Sequence, residues 1–328
     1  MSFDFTTLRG KGIKAMRGSI KKLAAVLFCV SVLVWALPAA AQQKSGLRSL
    51  TVVSEPNAQV WIDDVNYGKT DAGGRLVLKT FSTGTHRIRV RANGFKEVSQ
   101  NLPATGSGDL KIALVKTTDA AEITFQQAEE MSAVDREKAV ELYKKAVRLR
   151  PKYAEAHLAM ARIYAGLNES AEGLKAIANA RRARAAYAEA SAVEGRIYKD
   201  NGNEEKAVAA FKRAITEGKG YQPEALTGLG LLYKERAEGF ASEGDFESEK
   251  QNYLLAAEQL KKAAVQLAGA PDAVTIYQLL GDAYERAKMY ADAIKIYEEF
   301  LRSFPDADEA ETFRSFIVQL QKRMKEEQ

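Results

Sequence analysis

Few residues of this 328-residue chain have the type and spacing that catalysis needs. The two histidines, His86 in strand-forming sequence and His157 in helix-forming sequence, stand far apart, with no nucleophile or metal-ligand pattern beside either. Gly73-Gly74 fits a turn, and Gly228-Leu229-Gly230 lies in a helical stretch where small residues serve packing, so neither reads as a phosphate-cradling loop. The acid pairs Glu129-Glu130 and Glu298-Glu299 read as solvated helix faces. The only cysteine, Cys29, sits inside an apolar run. This inventory points away from an enzyme: no catalytic residue, metal site, cofactor or small-molecule substrate is expected.

Two sets of cations have spacing that suits binding instead. Arg87, Arg89 and Arg91 alternate with Ile88 and Val90, which puts three guanidiniums on the strand face opposite the apolar one. Such a row contacts an anionic glycan or a lipid headgroup, or forms the solvated outer face of an antiparallel sheet, which is the plainer reading. Trp61, between Val60 and Ile62, also points away from the core, either to stack on a sugar ring or to cover surface next to a linker. In the second set, the interval from Arg162 to Arg196 is nearly the same as that from Lys199 to Lys234. Cations in register can receive carboxylates along an extended acidic partner, or each can pair locally with a glutamate on an exposed helix.

The elements that position these residues follow an N-terminal segment of different character. Residues 1–41 carry six basic side chains, an apolar run at 23–37 and then Pro38-Ala39-Ala40-Ala41, the pattern of an export signal cleaved after Ala41. A start at Met16 still leaves a complete signal. The apolar run is short for a spanning helix, which needs about 20 residues, but counting on to Ala41 nearly reaches that length and leaves an uncleaved inner-membrane anchor as the alternative. Removing six basic residues and one acidic residue from totals of 48 and 43 leaves 42 of each. The mature chain is neutral, so a nucleic-acid partner is not expected. Cys29 departs with the signal, and its position midway through the apolar run does not suit lipidation. The expected location is periplasmic or associated with the cell envelope.

After a linker at 42–46, residues 47–116 switch to a period of two, with Val52 and Val53, Val60 and Ile62, Leu76 and Leu78, Ile88 and Val90, and Ile112 and Leu114. Turn residues such as Asp63-Asp64, Asp71-Ala72-Gly73-Gly74 and Ala92-Asn93-Gly94 separate them, which predicts a small β-sandwich of five or six strands. Ser54, Pro56, Ala58, Val60-Trp61-Ile62, Gly68-Lys69-Thr70 and Gly94-Phe95 make this segment resemble the PEGA family of β-domains. The family's namesake turn reads Glu55-Pro56-Asn57-Ala58 here, one residue shorter and with asparagine, which tolerates a left-handed backbone, in place of glycine.

From residue 117 helix formers dominate and an internal period appears. Tyr164, Tyr198 and Tyr233 recur at intervals of about 34 residues, and so do Ala161, Gly195 and Gly230. The columns Ala139, Gly173 and Ala207, and Ala146, Ala180 and Ala214, share the same interval. Together with Tyr277 through Tyr284, Ala293, Tyr297, Phe300 and Pro305, these columns resemble the tetratricopeptide repeat, a helical hairpin of about that length. About five hairpins are expected over 117–305, and a helix at 306–328 should cap the array through Phe313, Phe316, Ile317 and Leu320. The interval from Tyr233 to Tyr284 exceeds one period by half a repeat. Both helices of the fourth hairpin should therefore be longer by about eight residues, or ~13 Å each, around a turn near Gly244-Asp245. Phe240, Phe246 and Tyr253 would lie on that projection, to meet a partner or to seal the two helices together.

The resemblance implies an all-β domain followed by an all-α solenoid whose first helices line a groove for protein or peptide segments. Carried over by position, that groove consists of Glu155, Leu158 and Arg162; Glu189, Ala192, Arg196 and Lys199; Thr227, Leu231 and Lys234; Gln278, Asp282 and Glu285. Leu158 and Ala192 stand where relatives that clamp a terminal carboxylate carry a basic residue, so that capture is not expected. The function implied is an exported, non-enzymatic scaffold for protein–protein interaction. The alternative is a cell-wall or polysaccharide-binding protein acting through Trp61, Arg87, Arg89 and Arg91.

Overall fold

The computed structural model describes residues 47–82, 86–102 and 108–326. The export signal expected at 1–41 and the linker expected at 42–46 lie outside the described residues. Three small sheets make up the strand-rich region. In the first, β1 (Leu47–Val53) lies between β4 (Arg75–Ser82), antiparallel to it, and β8 (Gly108–Lys111), parallel to it. In the second the order is β3 (Val65–Lys69), β2 (Gln59–Ile62), β5 (His86–Arg91) and β7 (Val98–Leu102), all antiparallel. The third pairs β6 (Phe95–Lys96) with β9 (Val115–Lys116).

Alternation sets the core as the period of two predicts: Val52, Val60, Ile88 and Val90 are fully buried. The strands among the described residues number nine, against five or six expected, because turn-joined pieces such as β6 and β9 are very short. Ile112 and Leu114 are buried but lie just past the end of β8, with the Ile112 amide donating to the Val53 carbonyl (2.8 Å). Asn57 takes a left-handed φ of 57°. Asp63 and Asp64, at φ 48° and 65°, form the tight turn that joins β2 to β3. Gly74 is obligatory, since at φ 74° a Cβ would come within 2.2 Å of the Ser54 carbonyl oxygen.

The helices pair into five hairpins: α1 (Ala120–Ser132) with α2 (Arg136–Leu149), α3 (Ala154–Gly166) with α4 (Ser170–Ala183), α5 (Ala188–Asp200) with α6 (Glu204–Glu217), α7 (Pro223–Glu243) with α8 (Phe246–Gln266), and α9 (Ala273–Arg286) with α10 (Tyr290–Ser303). A last helix, α11 (Ala310–Glu326), closes the far end by stacking Phe313 on Phe300, ring centroids 3.9 Å apart. Small residues let neighbouring helices touch. Phe211 on α6 lies between Gly195 and Gly228, where a Cβ would come within 2.5 and 2.3 Å of its ring. The extra residues of the fourth repeat fall in α7 and α8, each 21 residues long against 13 or 14 in the other paired helices, and Gly244 in the left-handed region turns the chain between them.

Candidate partner-binding cleft

The first helices of the second, third and fourth hairpins, α3, α5 and α7, pack side by side into one wall. The β-domain reaches over that wall and is held at both ends. At α1, the Gln126 side chain donates to the Phe95 carbonyl and accepts from the Gly94 amide, both at 2.8 Å. Far along the chain, the Tyr67 hydroxyl donates to the Ala268 carbonyl (2.9 Å) and Lys79 pairs with Asp306 (2.7 Å). Between roof and wall lies a cleft of about 1430 Å³. Trp61, Asp64 and Arg89 face it from the β-domain, and Leu158, Glu189 and Leu231 from the wall.

The arginine row of β5 is a solvated outer face only at Arg87. Arg91 is 6% exposed and donates to Glu129 of α1 and to Glu97, each at 2.5 Å, with Glu122 3.9 Å from its Nε. Its guanidinium also lies 4.7 Å from the Phe125 ring centroid. Burial alone would favour the uncharged guanidine, but Glu129 and Glu97 more than offset it and hold the Arg91 pKa above its ordinary value. Burial in turn raises the Glu129 carboxyl against the pull of Arg91. Arg89 lies 4.3 Å over the Trp61 ring and reaches Asp64 at 3.4 Å and Glu97 at 3.5 Å. Arg87 stays exposed and donates to Ser99 (2.7 Å). The sequence pattern located the polar face correctly, but α1 packs against it and turns part of it into an interface. Arg91 is consumed inside the chain, and the Arg89 guanidinium lies over the Trp61 ring.

The repeating cations are likewise paired within the chain. Arg162 on α3 and Arg196 on α5 share one carboxylate, Glu224 at the start of α7: Arg162 donates to both oxygens at 2.8 and 3.3 Å, and Arg196 approaches to 3.7 Å. One glutamate thus ties three successive repeats together. Lys199 holds Glu235 (2.9 Å) and Asp200 (3.4 Å), while Lys234 pairs with Glu238 and lies 3.9 Å from Asp282. Leu158, Arg162, Arg196, Lys199, Thr227 and Leu231 line the cleft. Ala192 does not, because the close approach of helices that its small side chain permits buries it completely. Lys234, Gln278, Asp282 and Glu285 are not among the lining residues, and Glu285 accepts instead from the Tyr297 hydroxyl (2.7 Å).

Comparison with known families accounts for most of this architecture. Residues 47–117 match the PEGA domain, 135–168 match a TPR repeat, and 188–217 and 244–308 match tetratricopeptide repeats. The chain carries a PEGA domain and tetratricopeptide repeats. Among solved structures, a thermophilic TPR protein of Thermus thermophilus is 19% identical, covering 61% of this chain and 100% of that one at a TM-score of 0.43. MamA protein is 20% identical over 58% and 94%, at 0.38, and the Cut9–Hcn1 hetero-tetramer of the APC/C is 18% identical over 63% and 37%, at 0.43. At these identities the likeness concerns the helical fold alone. A comparison with curated proteins found no match.

The repeat array holds a further column, which the sequence analysis did not name. Tyr153, Tyr187 and Tyr221 recur at the period of the array, each just before the first helix of a repeat. Tyr153 lies under Arg150 and Tyr187 under Arg184, each cation 4.3 Å from the ring centroid. Arg150 reaches back to Asp119 (2.5 Å) and Arg184 to Glu155, so each arginine ties the end of its own hairpin to that hairpin's start while it lies over the tyrosine that opens the next one. The period itself was the signal. Tyr187 and Tyr221 also line the cleft beside the PEGA domain. His86 contacts Asp63 (Nδ1 to Oδ2, 2.6 Å), and His157 is buried on α3, where desolvation pushes its pKa down. Among the described residues no group of three or more histidines, cysteines or acids is placed to hold a metal, and no helix is long and apolar enough to cross a membrane.

Proposed function

We propose that this chain is an exported, non-catalytic interaction scaffold of the cell envelope, and that it receives an extended segment of a protein partner in the cleft between its PEGA domain and its repeat array. Tetratricopeptide repeats support a role in protein–protein interaction. The observation that carries the reading further is the cleft itself. About 1430 Å³ is room for several residues of extended chain, and three successive repeats contribute to one wall of it. Its mixed lining of paired charges with Trp61, Tyr187, Leu158 and Leu231 suits a polypeptide better than a uniformly charged polymer. Export rests on the signal pattern at 1–41.

The test places a photocrosslinking benzoylphenylalanine at Leu231, in the cleft, and separately at Leu149, 51% exposed outside it. In envelope extract, the Leu231 position should capture a protein that the Leu149 position does not. Filling the cleft by Thr227→Arg should lower that capture at least about tenfold, the change that ~1.4 kcal/mol of binding energy produces. Equal capture at both positions, or capture unaffected by Thr227→Arg, would sink the reading.

A further inference from the structure

The cleft has a cover, and the cover is attached in two unlike ways. At α1 the attachment is covalent and dense. Only residues 117–119 separate β9 from α1, Gln126 grips the main chain at Gly94 and Phe95, and Arg91 is buried among carboxylates. At the far end no covalent tie exists, and the segments that meet are distant in sequence. There the Tyr67 hydroxyl meets one carbonyl, and Lys79 and Asp306, with side chains 71% and 74% exposed, form an ion pair in water. Apolar contact adds to this, since the buried residues of the PEGA domain run on into those of α7–α11.

Three features make the far end the one that can part. The exposed ion pair and the single hydrogen bond contribute little, so apolar contact carries most of the far attachment, and losing the polar contacts shifts its balance without abolishing it. The array has no single core: the buried cluster of α1–α5 is separate from that of α7–α11, and each hairpin packs mainly on its neighbours, so the array can flex without unfolding. Closure also puts Asp64 and Glu189, at the start of α5, on the lining of one cleft, where burial first and the Asp64 charge second raise the Glu189 carboxyl, a like-charge arrangement that opposes closure. With both ends attached, only a free chain end can thread the cleft, whereas an internal segment needs one end to part.

We propose that the PEGA domain is a hinged cover over the cleft, fixed at α1 and released at Tyr67–Ala268 and Lys79–Asp306, and that release admits the partner's chain. The proposal rests on the cleft being the partner site, but its test needs no partner. The full chain carrying Cys29→Ser takes spin labels at Val77→Cys, on exposed β4 near Lys79, and at Asp308→Cys, near Asp306. Pulsed dipolar spectroscopy should give one short distance. Asp306→Lys with Tyr67→Phe should shift the ratio of long to short distances by roughly tenfold, and Lys79→Asp added to Asp306→Lys should restore the short one. A second pair of labels at Gln100→Cys and Glu137→Cys, across the α1 joint, reports whether the hinge and the fold persist.

An unchanged distribution in the double variant overturns the proposal, as does equal separation across the α1 joint. Release seen here with no crosslinking at Leu231 would keep the cover and refute the partner site; crosslinking without release would do the reverse.

Discussion

Gly281 and Tyr297 show how tightly single positions are set in the repeat. A Cβ built on Gly281 lies 2.1 Å from the Tyr297 ring, far inside contact distance. That ring has nowhere to go, because its hydroxyl donates to Glu285 (2.7 Å) and its edge meets Phe313 at a centroid distance of 5.1 Å. Gly281→Ala should therefore destabilise the protein by about 1–3 kcal/mol through overpacking. Gly239, in the exposed part of α7, has nothing within 4 Å of its Cβ position, so Gly239→Ala should stabilise by about 0.5–1 kcal/mol through helix propensity. Urea denaturation of the two variants should give midpoints displaced in opposite directions from the parent. A loss in both would mean that helix propensity does not decide at Gly239. The Gly281 contact was legible as a recurring small residue facing a recurring large one. The fate of Arg91 was not, because alternation names the face of a strand and not what comes to cover it.

At the scale of elements, the fourth hairpin departs most from the period. Its helices extend past their neighbours and must hold themselves together there. Tyr253, 1% exposed, packs with the fully buried Ala237 and Ala256, while Phe246 at the start of α8 is 73% exposed. The aromatics named from the sequence thus divide: Tyr253 seals the pair, Phe246 faces solvent and Phe240 is half-buried. Tyr253→Ala should cost about 3–5 kcal/mol of local stability, the range for deleting a large buried ring, and Phe246→Ser should stay within ~0.5 kcal/mol. Because hairpins pack mainly on their neighbours, hydrogen exchange in Tyr253→Ala should speed up over residues 236–257 and leave α1–α4 unaltered. Uniform loss of protection along the array would contradict this division. The extra length was readable from the spacing of Tyr233 and Tyr284, since an insertion of half a repeat divides evenly between two antiparallel helices. Which aromatic faces inward depends on helix phase, which shifts by about 100° with each residue.

For the whole molecule, Arg91 ties the PEGA domain to the first helix of the array. Arg91→Met would leave Glu129 without its ion-pair partner and Glu97 with Arg89 alone. Breaking a buried pair from one side costs about 3–5 kcal/mol, and here that loss falls on the joint between the domains. Scanning calorimetry of the parent should show one main transition, and Arg91→Met should split off an earlier one belonging to the PEGA domain. A single transition at the parental temperature would show that the joint does not couple the two.

The sequence by itself determined the two kinds of module, the repeat count, the long fourth hairpin and the capping helix. All of these follow from periodicity and from small and large residues at fixed spacing, which act over one or two turns of chain. It also marked the cations of the cleft, since Arg162 and Arg196 repeat with the array. Only the tertiary structure decided what those charges do. Glu224 lies 62 residues from Arg162, and Glu129 lies 38 from Arg91, so no local pattern connects them. The same holds for the cover over the cleft, whose far contacts join Tyr67 to Ala268 and Lys79 to Asp306. Such pairings depend on how the solenoid curves, and curvature accumulates from small rotations at every repeat that no single residue records.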